Sequence, residues 1–292
     1  MKSLHWLAAL CCGVGALQAP AALAECLLDA PAMLMLGRYD PGAAQALPVS
    51  WQLTVKPRHP KAGCRARLQA EATDQAGHLL LLGNDPAGLR VALAQDASGR
   101  QALAVAPQDL ASFQLEPDQQ TQLVLWAVRS PGQWIDPGLY RASLHLSLLD
   151  EQGRTLERRE VDFQSLVPPL VQAQFGQVSS AAGLSLTRLD FGELRQGASR
   201  RATLSVQANT GYTITLGSAN SGRLVHSSQS REQIGYQLRL DGRPVALNQS
   251  LAGLSAIRSG RQQHEIEVEI GPMQQVLAGE YRDSLLITIS GQ

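Results

Sequence analysis

The sequence predicts an all-β chain in which one sandwich is used twice and the second copy falls a strand short. Three observations carry this reading. Apolar residues alternate with polar ones along many short runs, clusters of Gly, Pro, Asn and Asp separate the runs, and two signature segments recur in the same order in each half. Composition agrees. Of 292 residues, 44% are hydrophobic and 17% charged, too apolar for a disordered chain. The 25 Lys+Arg balance 25 Asp+Glu with no basic block, which argues against a nucleic-acid partner, since phosphate neutralisation takes clustered cations.

In chain order, an export signal comes first. Lys2 gives a basic start, Leu4 to Leu17 an apolar stretch, Pro20 a break, and Ala22-Leu23-Ala24 the small-x-small pattern of signal-peptidase cleavage. Residues 1–24 are therefore expected to be a signal peptide and Glu25 the mature N-terminus. The apolar run is shorter than the ~20 residues that span a bilayer. Lipidation is not expected, because Leu10 and Glu25 stand where a small residue should precede Cys11 and Cys26. Removing Cys11 and Cys12 leaves Cys26 and Cys64, which are expected to form a disulfide in an oxidising compartment. Closing a loop of about 39 residues stabilises by roughly 4 kcal/mol in the chain-entropy treatment.

Alternation then marks the strands. Val49, Trp51, Leu53 and Val55 make one run, and Tyr140, Ala142, Leu144, Leu146 and Leu148 another. Later runs are Leu204-Val206-Ala208, Tyr212-Ile214-Leu216, Ile234-Tyr236-Leu238-Leu240, Ile266-Val268-Ile270 and Leu285-Ile287-Ile289. Turns are expected at Asn84-Asp85-Pro86, Asn220-Ser221-Gly222 and Asp241-Gly242. Ala106 to Phe113 is the one stretch that reads as a short helical turn.

The repeat divides the chain. Gly138-Leu139-Tyr140-Arg141 is echoed by Gly279-Glu280-Tyr281-Arg282, and Leu36-Gly37 with Gly42 by Phe191-Gly192 with Gly197. This predicts two immunoglobulin-like β-sandwich domains, residues 25–166 and 179–292. Residues 167–178, opening on Val167-Pro168-Pro169, are the expected linker. After its G-x-Y-R strand the first copy runs on through Asp150-Glu151-Gln152-Gly153 and a further strand at Leu156 to Phe163. The second copy stops soon after Ile289. Domain 2 is therefore expected to lack its last strand and to be completed by a donor strand from another chain. With Cys26 already in the first strand, no donor arm is expected, which predicts a subunit at the end of a fibre.

These residues resemble the spore coat protein U family, which includes the subunits of archaic chaperone–usher pili. The resemblance rests on Leu36-Gly37-Arg38-Tyr39-Asp40, on Cys26 with Cys64, and on the strands that begin at Gly138 and Gly279. It implies a two-domain tip adhesin exported through the periplasm to the cell surface, attaching cells and promoting biofilm formation. The partners it implies are a periplasmic pilus chaperone, an outer-membrane usher, an adjacent pilin subunit that donates a strand, and an abiotic or host surface. The donor-strand groove is expected at Leu204, Val206, Leu285, Ile287 and Ile289. Candidate surface-binding loops are Leu79-Leu80-Leu81-Leu82, apolar on both faces, and Trp126 with Trp134 around Ser130-Pro131-Gly132. Both also read as core packing.

No catalytic or metal motif emerges. None of the six His has a His-x-x-x-His partner, His264-Glu265 lacks the second His of a metalloprotease, and no G-x-S-x-G elbow or phosphate loop is present. No cofactor and no enzymatic activity are expected. The remaining readings are a two-domain minor or adaptor pilus subunit, a periplasmic pilus chaperone, or another exported binding protein.

Overall fold

A computed structural model describes residues 25–71, 78–101, 103, 109–175, 188–247, 250–254 and 262–292. The expected signal peptide lies outside these residues. Among them the protein is all-β.

The first half holds β1 (Cys26–Asp29), β2 (Met33–Arg38), β3 (Leu47–Pro57), β4 (Cys64–Glu71), β5 (Leu79–Leu81), β6 (Leu89–Ala94), β7 (Asp109–Leu115), β8 (Thr121–Arg129), β9 (Gly138–Leu149) and β10 (Thr155–Val167). They form two sheets, β1-β3-β8-β6-β5 and β2-β10-β9-β4-β7, packed face to face. The alternation read from sequence sets which side of each strand goes inward. Trp51, Leu53 and Val55 of β3 and Leu144, Leu146 and Leu148 of β9 are buried in one core. Trp51 meets Phe163 of the facing sheet edge-on at 5.6 Å between ring centres.

The second half holds β11 (Val171–Phe175), β12 (Ser199–Ala208), β13 (Tyr212–Ser218), β14 (Arg223–His226), β15 (Gln233–Leu240), β16 (Arg243–Pro244), β17 (Ser250–Leu254), β18 (Gln262–Ile270), β19 (Tyr281–Arg282) and β20 (Leu285–Gly291). Its sheets run β11-β12-β18-β15-β14-β19, with β16 beside β15, and β17-β13-β20. A separate core joins Leu204, Val206, Tyr212, Ile214, Leu216, Leu238, Ile266 and Val268.

Strand order carries the repeat further than the sequence motifs did. β1-β3-β8-β6-β5 matches β11-β12-β18-β15-β14, and β9-β4-β7 matches β20-β13-β17. Two strands of the first half have no counterpart among the described residues of the second: β10 and β2. The glycines that open the two G-x-Y-R segments share an unusual backbone, φ +154° at Gly138, the first residue of β9, and +158° at Gly279, just before β19. Asp241 and Gly242 also take positive φ, 51° and 76°, the conformation that lets a two-residue turn join β15 to β16.

Two expectations change. Asp109 to Phe113 is part of β7 rather than a helical turn, because Ala111 and Phe113 pair with Leu68 and Ala66 of β4 and sheet pairing outweighs local propensity. Within 167–178, expected as a linker, Val171–Phe175 forms β11 against Leu204–Ala208 of β12. Only Pro168, Pro169 and Leu170 stand between the strands. Asn209 holds that junction, its amide donating to the Pro168 carbonyl at 3.0 Å and accepting from the Leu170 N–H at 2.7 Å.

The Cys26–Cys64 disulfide is formed, with Cα atoms 5.5 Å apart. It ties β1 to β4, so the two sheets of the first sandwich are joined covalently. The expected consequence is measurable, because the tryptophans beyond residue 24 (Trp51, Trp126 and Trp134) all lie in the first half. Replacing both cysteines by alanine should lower the urea stability reported by tryptophan fluorescence by about 4 kcal/mol. A loss below ~1 kcal/mol would mean that the pairing of β1 with β3 holds the N-terminus without the crosslink.

Candidate functional site

Matched strands in different surroundings define the site. β9 is flanked on both sides, by β10 through Val167↔Gly138 to Thr155↔Leu149 and by β4. Among the described residues its counterpart β20 pairs only with β13, from Tyr212↔Gly291 to Ser218↔Leu285. The burial follows. Leu144, Leu146 and Leu148 of β9 are all 0% exposed. Leu285, Ile287 and Ile289 alternate in the same way, yet each is only half-buried.

Across the sandwich, β11 is also an outer strand, paired among the described residues with β12 alone. Its Val171 and Phe175 are half-buried and packed on the second core. An apolar trough thus runs between the free edges of β20 and β11. In the first half the equivalent space is filled by β10, whose Val161, Phe163 and Val167 are 0% exposed. β10 itself pairs with β2 in parallel, Phe163↔Leu34 and Gln164↔Met35. The segment matching β2 around Phe191-Gly192 forms no strand, although Leu189 and Phe191 pack on the core. Among the described residues no strand like β10 offers it a backbone to pair with.

Of the expected groove residues, Leu285, Ile287 and Ile289 line the trough from β20. Leu204 and Val206, 2% and 1% exposed, form its buried floor and pair with Phe175 and Ala173 of β11. Sequence reading missed Val171 and Phe175 because residues 167–178 were read as linker.

The start of β20 is held by polar contacts. Asp283 accepts from the Tyr236 hydroxyl and the Ser218 hydroxyl, each at 2.6 Å, and from the Asn220 N–H at 3.0 Å. Burial first, and then the Asp283 carboxylate, push the Tyr236 phenol up from its ordinary pKa. Gly279 faces the buried His226 so closely that a Cβ would lie 2.0 Å from Nε2. His226 Nδ1 accepts from the backbone N–H groups of Ser228 and Gln229, both at 3.2 Å. Another linked set is Asp241–His264–Tyr212, with separations of 2.8 and 2.7 Å, but Tyr212 is 1% exposed and offers nothing to a substrate. Among the described residues no group of three His, Cys, Asp or Glu side chains is arranged to hold a metal.

The expected surface loops take other places. Leu79 and Leu81 of β5 are 0% exposed, and Leu80 is half-buried. Leu82, at 59% exposure, is the outward member of the four. The run is apolar on both faces because its outer side is partly covered as well. Trp134 is buried and Trp126 half-buried, so the Ser130-Pro131-Gly132 turn does not present the pair. That turn and Leu82 also lie at the pole where β10 ends. Tyr39 N–H bonds the Leu166 carbonyl, the Tyr39 hydroxyl the Ser130 carbonyl at 2.7 Å, and Leu82 the backbone of Arg141. The opposite pole carries the connections 58–63 and 116–120 and the hairpin 150–154. It is polar, with ion pairs Arg58–Glu25 at 3.0 Å and Arg65–Glu151 at 3.2 Å.

Removing the acceptor at the head of β20 should loosen the trough. Asp283→Ala leaves the Tyr236 and Ser218 hydroxyls without their partner, a cost on the order of 3 kcal/mol. Hydrogen exchange in residues 212–218 and 285–291 should accelerate while residues 138–167 keep their protection. Equal acceleration in both stretches would overturn this assignment.

No protein-family model matches the chain and no curated protein matches its sequence, so no family model stands behind the spore coat protein U resemblance. Solved structures do match. A chain of the CsuC–CsuE chaperone–tip adhesion subunit pre-assembly complex, from the archaic Csu pili of Acinetobacter baumannii, aligns with a TM-score of 0.50 and 12% identity, covering 90% of this chain and 99% of that one. The adhesive subunit CfaE of CFA/I fimbriae of enterotoxigenic Escherichia coli gives 0.37 at 12% identity, over 90% and 99%. The CupB6 tip adhesin of Pseudomonas aeruginosa gives 0.38 at 14%, over 91% and 93%. The last two fall below the level at which a superposition supports an argument. The first shows the fold: this chain has the tandem-sandwich architecture found in a chaperone–tip adhesion subunit complex.

Proposed function

We propose that this protein is an exported two-domain adhesin at the tip of an archaic chaperone–usher pilus. In this reading residues 25–167 bind an abiotic or host surface and promote biofilm formation, and residues 171–292 join the subunit to the rod. The observation that carries it is the half-buried face of β20, set against the fully buried face of its counterpart β9. An unpaired strand edge above exposed core residues invites aggregation unless another chain covers it. A donated strand satisfies the free N–H and C=O groups and fills the trough with its own apolar side chains.

The repeat supplies the geometry. A donor that takes the role of β10 runs antiparallel to β20 and parallel to the segment before Gly192, with its inward side chains between Val171, Phe175, Leu285, Ile287 and Ile289. An adjacent pilin subunit provides it in the fibre. A periplasmic pilus chaperone occupies the same trough beforehand, and an outer-membrane usher exchanges one for the other. In the first sandwich the trough is occupied by β10, so that domain needs no partner to fold.

Periplasmic expression tests this directly. Residues 25–168 should fold alone, with a single cooperative transition by tryptophan fluorescence. Residues 25–292 should be recovered in quantity only with a cognate pilus chaperone. Ile287→Asp should abolish that recovery without altering the first-domain transition. A full chain that folds alone with two stable transitions would have a complete second domain, and a free-standing exported binding protein would then be the better reading.

A further inference from the structure

A second site lies in the first half, away from the trough. The segment after β8 runs back beside β6, and together they line an open depression of about 350 Å³, whose wall includes His78, Arg90, Ala92, Ser130, Gln133 and Ile135. That is within the ~300–1,000 Å³ range of small-molecule sites. Strand parity explains its composition: Leu89, Val91 and Leu93 point into the core, which leaves Arg90 and Ala92 on the outside.

The depression is framed by hydrogen bonds rather than by chance packing. The Gln133 side chain clamps the backbone of Arg90 from both sides, accepting from its N–H at 2.8 Å and donating to its carbonyl at 3.0 Å. The same amide donates to the Ser130 carbonyl at 3.1 Å. Tyr39, 0% exposed, closes the frame: its hydroxyl donates to the Ser130 carbonyl at 2.7 Å and accepts from the Gln133 N–H at 3.0 Å. Burial raises the pKa of that phenol, so it stays a neutral donor. The Gln133 amide is thus fully used in building the wall.

Arg90 is the arginine on the wall, and no carboxylate accompanies it. Among the described residues the Arg90 guanidinium has no ion-pair or hydrogen-bond partner, whereas most arginines of this protein are paired, Arg58, Arg65, Arg154, Arg159, Arg201 and Arg239 among them. The Ser130 hydroxyl is likewise uncommitted. Ala92 and Ile135 add a small apolar surface between these polar groups.

From this arrangement we infer that the depression binds a carboxylate-bearing sugar residue of the uronic acid type. The Arg90 fork takes the carboxylate in a bidentate pair. The Ser130 hydroxyl meets a ring hydroxyl, and Ala92 with Ile135 lies against the C–H face of the ring. Sugar acids of this kind occur in surface polysaccharides, so the site gives the first half a chemical preference. It stands apart from the pilus reading, because none of its residues touches the trough and it would operate in any exported binding protein.

The test titrates the full chain, free or in complex with its chaperone, with D-glucuronate, D-glucose and sulfate by calorimetry and ligand-detected NMR. Glucuronate should bind saturably and glucose about tenfold more weakly or not at all. Arg90→Gln should lower glucuronate affinity about tenfold or more. Arg100→Gln, a charge removed elsewhere on the same half, should leave it unchanged. Tryptophan-monitored unfolding establishes that both variants are folded. Absence of saturable glucuronate binding overturns the inference, as does equal binding of glucose, or an equal loss in both variants. Sulfate binding as tightly as glucuronate would make this a bare anion site and overturn the sugar assignment.

Discussion

Whether β9-type strands have a neighbour on both edges decides most of what distinguishes the two halves. In the first half β10 lies between β9 and β2, hydrogen-bonded to each, with Val161, Phe163 and Val167 inside the core. That single strand satisfies two edges and seals one long side of the sandwich. In the second half the same frame is present with no such strand among the described residues, and three consequences follow together. Leu285, Ile287 and Ile289 stay half-exposed, β11 keeps a free edge, and the segment at Phe191 rests on the core without entering a sheet. Hydrophobic burial and backbone satisfaction are lost at one place, so one occupant can restore both.

The first half shows how the frame is stabilised when it is full. The Cys26–Cys64 disulfide joins the sheets at one pole. Buried polar groups join them at the other. Arg129, 3% exposed, donates to the carbonyls of Gly37 and Arg38 and to Ser165, fastening the end of β2 to β10. Tyr140 and Asp85 lock the loop before β6, since the Tyr140 hydroxyl accepts from the Asp85 N–H at 3.2 Å and donates to the Asp136 carbonyl at 2.7 Å. The pole next to the linker is therefore rigid and intricately bonded, and the far pole is made of polar hairpins and exposed ion pairs. Exposed pairs of that kind add little stability.

Much of the fold was legible in the sequence for a definite reason. A strand with one buried face must alternate, and the alternation at Trp51-Leu53-Val55, at Leu144-Leu146-Leu148 and at Ile266-Val268-Ile270 is unbroken, so type and facing follow from composition alone. The paired Gly-x-Tyr-Arg segments placed matching strands in both halves, because a glycine at φ near +155° is needed where the strand starts close against Asn84 in one copy and His226 in the other. Two cysteines beyond residue 24 left a single possible pairing.

Burial in three dimensions was not legible. Alternation at Leu285-Ile287-Ile289 looks the same as at Leu144-Leu146-Leu148, and only the neighbours of each strand separate an open trough from a sealed core. Leu79 to Leu82 read equally as a loop or a strand, since an apolar run carries no period to choose by, and pairing with Leu89-Arg90-Val91 settled it. Likewise Arg90 lies about forty residues from Ser130 and Gln133, with no motif between them; they meet because the segment after β8 runs back beside β6. The sequence by itself determined which residues form strands and which way they face, as those depend on near neighbours along the chain. Tertiary structure decided which edges stay open and which distant side chains share a depression, because both depend on contacts between strands that sequence order does not fix.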